Sequence, residues 1–286
     1  MKRTCASSAV LLVASVGWSG QGPATIDEAA ARALVEDLRH DDRRFNATDA
    51  LSVLRSCGPE VVPALEAALH SDDWQQRQLA CEALRRIGGY DPSDRMLEVC
   101  IEGLRRDGLP MGDGRYTTVF NAADGTRFLV QHPERARPLL RPALESADEQ
   151  QRFLAAFVLG FGADVDEAAR ICRVLMPHLR SNAIRSDAIL AAAAIRALGK
   201  SAVPQLLLSR DSDDEQQRGL VALLIAHARG APPEELAGLA RAVNGDNGDG
   251  PRLGWPMSAD PTDLGPDDLS AIPMRWRHVR WPETPR

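Results

Sequence analysis

The stretch "SADEQQRFLAAFVLGFG", residues 146–162, has two relatives elsewhere in the chain: "SDDWQQRQL" at 71–79 and "SDDEQQRGL" at 212–220. The three copies start 75 and 66 residues apart. In each, a serine and an aspartate precede Gln-Gln-Arg, and apolar or small residues follow at helical spacing. An aspartate just before such a run is a helix N-cap signal. Upstream of each copy lies a proline-bearing segment: "VVPALEAAL" at 61–69, "RARPLLRPAL" at 135–144 and "SAVPQLLLS" at 201–209. Proline suits a first helical turn, where its missing N–H would have no partner anyway. Each copy therefore reads as two helices joined by a short turn, and halving the spacings gives a unit of about 33–38 residues.

A weaker version runs from Leu175 to Gly199. The resulting reading has six units, at 25–58, 59–89, 93–132, 134–163, 165–199 and 201–230, with a partial capping helix at 232–243. Gly88, Gly162 and Gly199 stand where three second helices end, and predict left-handed C-terminal caps. The third unit is interrupted by Gly108, Pro110, Gly112, Gly114 and Gly125, which predict a long loop over 107–115 and a shortened second helix.

This pattern resembles the HEAT-repeat family, in the short bacterial form also found in phycobilisome-lyase-like proteins. Asp73 with Arg77, Asp148 with Arg152 and Asp214 with Arg218 match the family's turn aspartate and the arginine four residues later. The resemblance covers roughly residues 25–245. It implies an all-α fold: an armadillo-like α-solenoid of about six helical hairpins wound as a right-handed superhelix. It also implies that these Asp and Arg residues form a structural ladder between neighbouring repeats. Two departures stand out. Gln76, Gln151 and Gln217 replace the family's usual valine, and Ala188 stands where the fifth unit should have its arginine. A fold of this kind does not name a function.

Composition agrees with helices: 44% of the 286 residues are hydrophobic, 26% charged and only 5% aromatic. A net charge of −6 lacks the basic footprint of a general nucleic-acid binder. Residues 1–20 read as a signal peptide: Lys2 and Arg3, an apolar run from Ala6 to Val16, then small Ser15, Gly17 and Ser19. The run is too short to span a bilayer, so the expectation is an exported chain, periplasmic or secreted, with no stable membrane span after processing. A short N-terminal helix of a cytosolic protein is the alternative. Cys57, Cys81, Cys100 and Cys172 form no C-x-x-C pair; Cys81, at a slot that other copies fill with Ala156 and Ala222, reads as a buried thiol, with Cys81–Cys100 as a possible bridge. Residues 246–286 form an irregular tail rich in Gly, Pro and Asp that carries Trp255, Trp276 and Trp281.

Chemistry is scarce. The sequence has no nucleophile elbow, zinc-protease helix or phosphate loop, so the reading is non-enzymatic, with no catalytic residue, metal or cofactor assigned. The turns at His40–Asp42 and His70–Asp73 could supply a mixed N/O metal set, but read better as helix-capping turns. "NGDNGDG" at 244–250 reads as a flexible turn rather than a calcium loop.

Without gaps, Phe153, Phe157 and Phe161 align with Gln78, Glu82 and Arg86 in one copy, and with Gly219, Leu223 and His227 in another. In a HEAT-like fold these variable slots would line the concave face, which makes them the candidate binding surface. Three phenylalanines in water would be an unusual patch. Either the chain covers them, through the third-unit loop or a tail from about Leu253 to Trp281 folded back, or a partner does. The leading expectation is a protein-binding or scaffold protein whose partner is a protein or peptide, not nucleic acid. The alternative is a lyase-like or small-ligand protein with an apolar pocket near the stripe, bordered by His132, His178 or His227. A repeat module with purely structural contacts is the third possibility.

Overall fold

The computed structural model describes residues 26–39, 46–105, 109–110, 116–117, 122–161, 165–180 and 185–244. The expected signal segment, the tail from 246 and most of the 107–115 loop lie outside them. The fold is all-α, and among the described residues the one exception is a two-residue antiparallel pairing of Leu109–Pro110 with Tyr116–Thr117. Among the described residues no helix is long and apolar enough to cross a membrane.

The fold parts into two compact units, Met1–Gly125 and Thr126–Arg286. The first holds α1 (Glu28–Glu36), α2 (Asn46–Ser56), α3 (Val62–Ala68), α4 (Trp74–Arg86) and α5 (Asp94–Gly103). Helix α6 (Ala122–Gln131) crosses the division. The second unit holds α7 (Pro133–Leu140), α8 (Glu149–Gly160), α9 (Val165–Leu175), α10 (Arg185–Leu198), α11 (Val203–Leu208), α12 (Glu215–Ala228) and α13 (Pro233–Asn244). Each of the six stretches read as a repeat contains two of these helices.

Local chemistry sets the helix starts. Asp27, Ser93, Asp73, Asp148 and Asp214 all sit in extended backbone and accept a hydrogen bond from the N–H three residues on. That removes one orphan donor per helix. Pro63 and Pro204 lie in the first turns of α3 and α11, as expected, but Pro138 lies inside α7, because that helix begins earlier at Pro133. At the C-termini, Gly199 adopts φ +56°, a left-handed cap. After α4 the left-handed residue is Gly89, at φ +76°, not Gly88, since Ile87 still closes the helix by donating to Leu84. Gly162 lies outside the described residues.

Packing within each unit runs between helices of like position. In the first, α1 packs on α3 and α2 on α4, while α4 also contacts α3 and α5. In the second, α9 packs on α11, and α10 contacts both α8 and α12. The second helices α4, α8 and α12 are therefore flanked by neighbours, and ten of the twelve residues of α8 are buried.

Candidate functional site

Flanking by neighbours decides what happens at the candidate surface positions Phe153, Phe157, Phe161, Gln78, Glu82, Arg86, Leu223 and His227, and at the aligned Gly219. Phe153 is 1% exposed and Phe157 0%. The ring of Phe153 lies 4.4 Å from that of His178, and Phe157 meets Phe161 edge-on at 5.0 Å. Two of the three rings are thus interior, and Phe153, for which the sequence reading sought a cover in the third-unit loop, the tail or a partner, has a histidine of the next helical pair as its ring partner. Gln78, Glu82 and Leu223 are buried as well. For the phenylalanines the reason is that α8 is apolar nearly all round, the mark of a buried helix rather than of a helix with one apolar stripe. Gly219 is half-buried because Val243 of α13 sits over it; an added Cβ would stand 2.6 Å from the valine Cγ2.

Apart from the half-buried Gly219, only the last slot of each triplet reaches solvent. Arg86 and His227 are exposed and Phe161 is half-buried, all at the C-terminal ends of second helices. The accessible part of the candidate surface narrows to these helix ends. Burial and the positive charge of Arg196 hold the His227 pKa below the usual histidine value, which favours the neutral ring there.

In the first unit, Glu82 is a fully buried carboxylate held by three arginines. Arg55 donates to Oε1, Arg85 donates to Oε2 through Nε at 3.0 Å and Nη2 at 2.5 Å, and Arg86 Nε reaches Oε1 at 3.3 Å. Arg85 also lies 3.6 Å from Asp124. Burial works against the Arg85 charge, but Glu82 and Asp124 outweigh it and keep its pKa above the ordinary arginine value. Arg86, the most open of the three arginines, carries its charge to the surface. Nothing in the sequence period pairs Arg55 with Glu82, 27 residues apart, so spacing alone does not reveal this cluster.

The six ladder residues divide their labour. Asp73, Asp148 and Asp214 cap their own helices. Arg77, Arg152 and Arg218 fold back onto the carbonyls of Ser71, Ser146 and Ser212 in their own turns, and Arg77 also pairs with Glu102 of α5. Much of the reach between successive pairs comes from residues the ladder leaves out. Gln76 donates to Val35 O and Gln217 to Met176 O, each at 2.8 Å and each across 41 residues. Gln75 donates to Leu38 O and Gln216 to Leu179 O, each across 37. Arg39–Asp72 and Arg180–Asp213 add ion pairs across 33. These amides reach carbonyls at the C-terminal end of a helix one pair earlier, where intrahelical donors run out. Glutamine in place of valine was the signal: a polar side chain in a core slot needs a buried partner.

In the second unit, Asp187 occupies the slot that Gln76 and Gln217 fill elsewhere. It is buried, and its Oδ2 lies 3.9 Å from His178 Nδ1. Burial, aided by Arg152 and opposed by Glu149, lowers the His178 pKa. A neutral imidazole therefore packs against the Phe153 ring. His132 is likewise packed, 4.7 Å from Phe128. Among the described residues no group of three or more His, Cys, Asp or Glu could hold a metal ion. His40 and Asp42 lie outside them, and Asp72 pairs with Arg39. No family model matches this chain, and no curated protein matches it either.

Proposed function

We propose that the chain is a non-enzymatic interaction protein: a HEAT-like α-solenoid that presents the ends of its second helices, on the concave face, to a protein or peptide partner. One observation carries this reading. Hydrogen bonds between successive helix pairs recur at offsets of 33, 37 and 41 residues in both units. The exposed slot at the end of the second helix nevertheless changes chemistry from Arg86 to Phe161 to His227. A fixed frame with a variable face is the arrangement repeat proteins use for recognition. The buried polar groups support a structural use, because Gln76, Gln78 and Gln217 are engaged by backbone carbonyls and Glu82 by arginines.

Export belongs to the same proposal and rests on residues 1–20. Intact mass of the mature chain tests it: a chain shortened by about 17–20 residues supports export, and a full-length chain recovered from the cytosol contradicts it. Binding is tested by affinity capture with the wild-type chain and with an Arg86→Ala, Phe161→Ala, His227→Ala variant of unchanged melting temperature. A protein retained by the wild type and lost from the variant supports the reading. Equal retention by both, or retention by neither, contradicts it.

A further inference from the structure

Cys81 in α4 and Cys100 in α5 are both fully buried, and their sulfur atoms lie 3.3 Å apart in an S–H···S contact. The two helices pack on each other, so the contact is built into a helix interface. Cys57 instead donates to Val53 O within its own helix region. We infer that Cys81 and Cys100 are a modification site, a dithiol pair that closes into a disulfide tying α4 to α5 when the chain folds in the presence of a disulfide oxidant. Small rotations of the two side chains bring the sulfurs from contact to the bonding distance of about 2.05 Å.

The chemistry is thiol–disulfide exchange with a small-molecule disulfide such as glutathione disulfide. One cysteine thiolate attacks the oxidant, whose S–S bond breaks, and the first leaving thiolate takes up a proton. The second cysteine, as thiolate, then attacks the mixed disulfide and expels the second small thiol. The pair loses two electrons and two protons, and the oxidant leaves as two thiols. The step belongs to folding rather than to the closed protein. The mutual hydrogen bond, then burial, push the Cys81 thiol well above its usual range, and the packed interface leaves a reagent no access. The inference is independent of partner binding.

The test refolds the reduced full-length chain in a glutathione redox buffer, blocks free thiols and digests with trypsin without reduction. Cleavage after Arg77, Arg85, Arg95 and Arg105 separates the two cysteines into peptides 78–85 and 96–105. The expected result is that these two peptides are recovered linked, with two fewer free thiols per chain. Recovery of both as separately blocked peptides, or linkage of either to Cys5, Cys57, Cys172 or glutathione, overturns the inference. Reduced chain that is already folded should keep both thiols over the same period; bridging at an equal rate would overturn the assignment to folding.

Discussion

Replacing Gly160 with alanine should destabilise the second unit, although alanine is the better helix former. On propensity alone the change gains about 1 kcal/mol. The structure reverses the sign. A Cβ at residue 160 would lie 2.8 Å from the Ala194 Cβ, 3.0 Å from its carbonyl oxygen and 3.2 Å from its Cα. Two of those atoms are backbone of α10 and cannot rotate aside, so α8 and α10 must separate. Overpacking of this kind costs about 1–3 kcal/mol, and a backbone clash belongs in the upper half of that range. The net expectation is a loss of about 1–2 kcal/mol, or about 3–6 °C in melting temperature. Gly238, inside α13, supplies the control: nothing lies within 4 Å of its Cβ position, so Gly238→Ala should gain about 0.5–1 kcal/mol. Thermal and denaturant melts followed by circular dichroism give both values, and hydrogen exchange of α8 and α10 peptides localises the first. If Gly160→Ala is as stabilising as Gly238→Ala, the close approach of α8 to α10 is wrong.

Other substitutions probe the remaining contacts. Glu82→Gln removes the charge that holds Arg55, Arg85 and Arg86; Arg86 swings into water and Arg85 keeps Asp124, so the loss should be about 3 kcal/mol in a denaturant melt, the low end for a broken buried pair. A loss under about 1 kcal/mol would mean the cluster is solvated. Gln217→Met keeps the volume but deletes the bond to Met176 O and the one accepted from Ser212 Oγ, and should cost about 1–3 kcal/mol, whereas Gln216→Met, at a half-buried site, should cost less. A depressed His178 pKa means the unfolded chain binds the proton first, so stability from this residue is present above pH 6.5 and is lost as pH falls from there toward the folded value. His178→Phe preserves the ring on Phe153 and should flatten that slope below about pH 6.5; an unchanged slope assigns the dependence to other groups.

The helix pairs and their starts were legible because they depend on neighbours in sequence. Asp73, Asp148 and Asp214 cap within three residues, and Pro63 and Pro204 need only their own turn. The surface was misread because burial of α8 is imposed by α9 and α10, which a gapless comparison of single helices does not include. Phe153 looked unpartnered although His178 covers it from 25 residues away. Gln76 and Gln217 were visible as departures from a valine pattern, yet their acceptors, Val35 and Met176, carry no side-chain signature, since any residue offers a carbonyl. The Glu82 cluster joins α2 to α4, and only tertiary packing brings Arg55 to it.

The most direct measurement of the central claim is site-specific photo-crosslinking of the full chain to its partner from residues 161, 227 and 208. Phe161 and His227 end second helices, whereas Leu208 ends the first helix α11 and is 78% exposed, a more open apolar side chain than Phe161. The account predicts crosslinks to one and the same protein from 161 and 227 and only background from 208. Crosslinks concentrated at 208, with none at 161 or 227, would place recognition on the other layer of helices and contradict it.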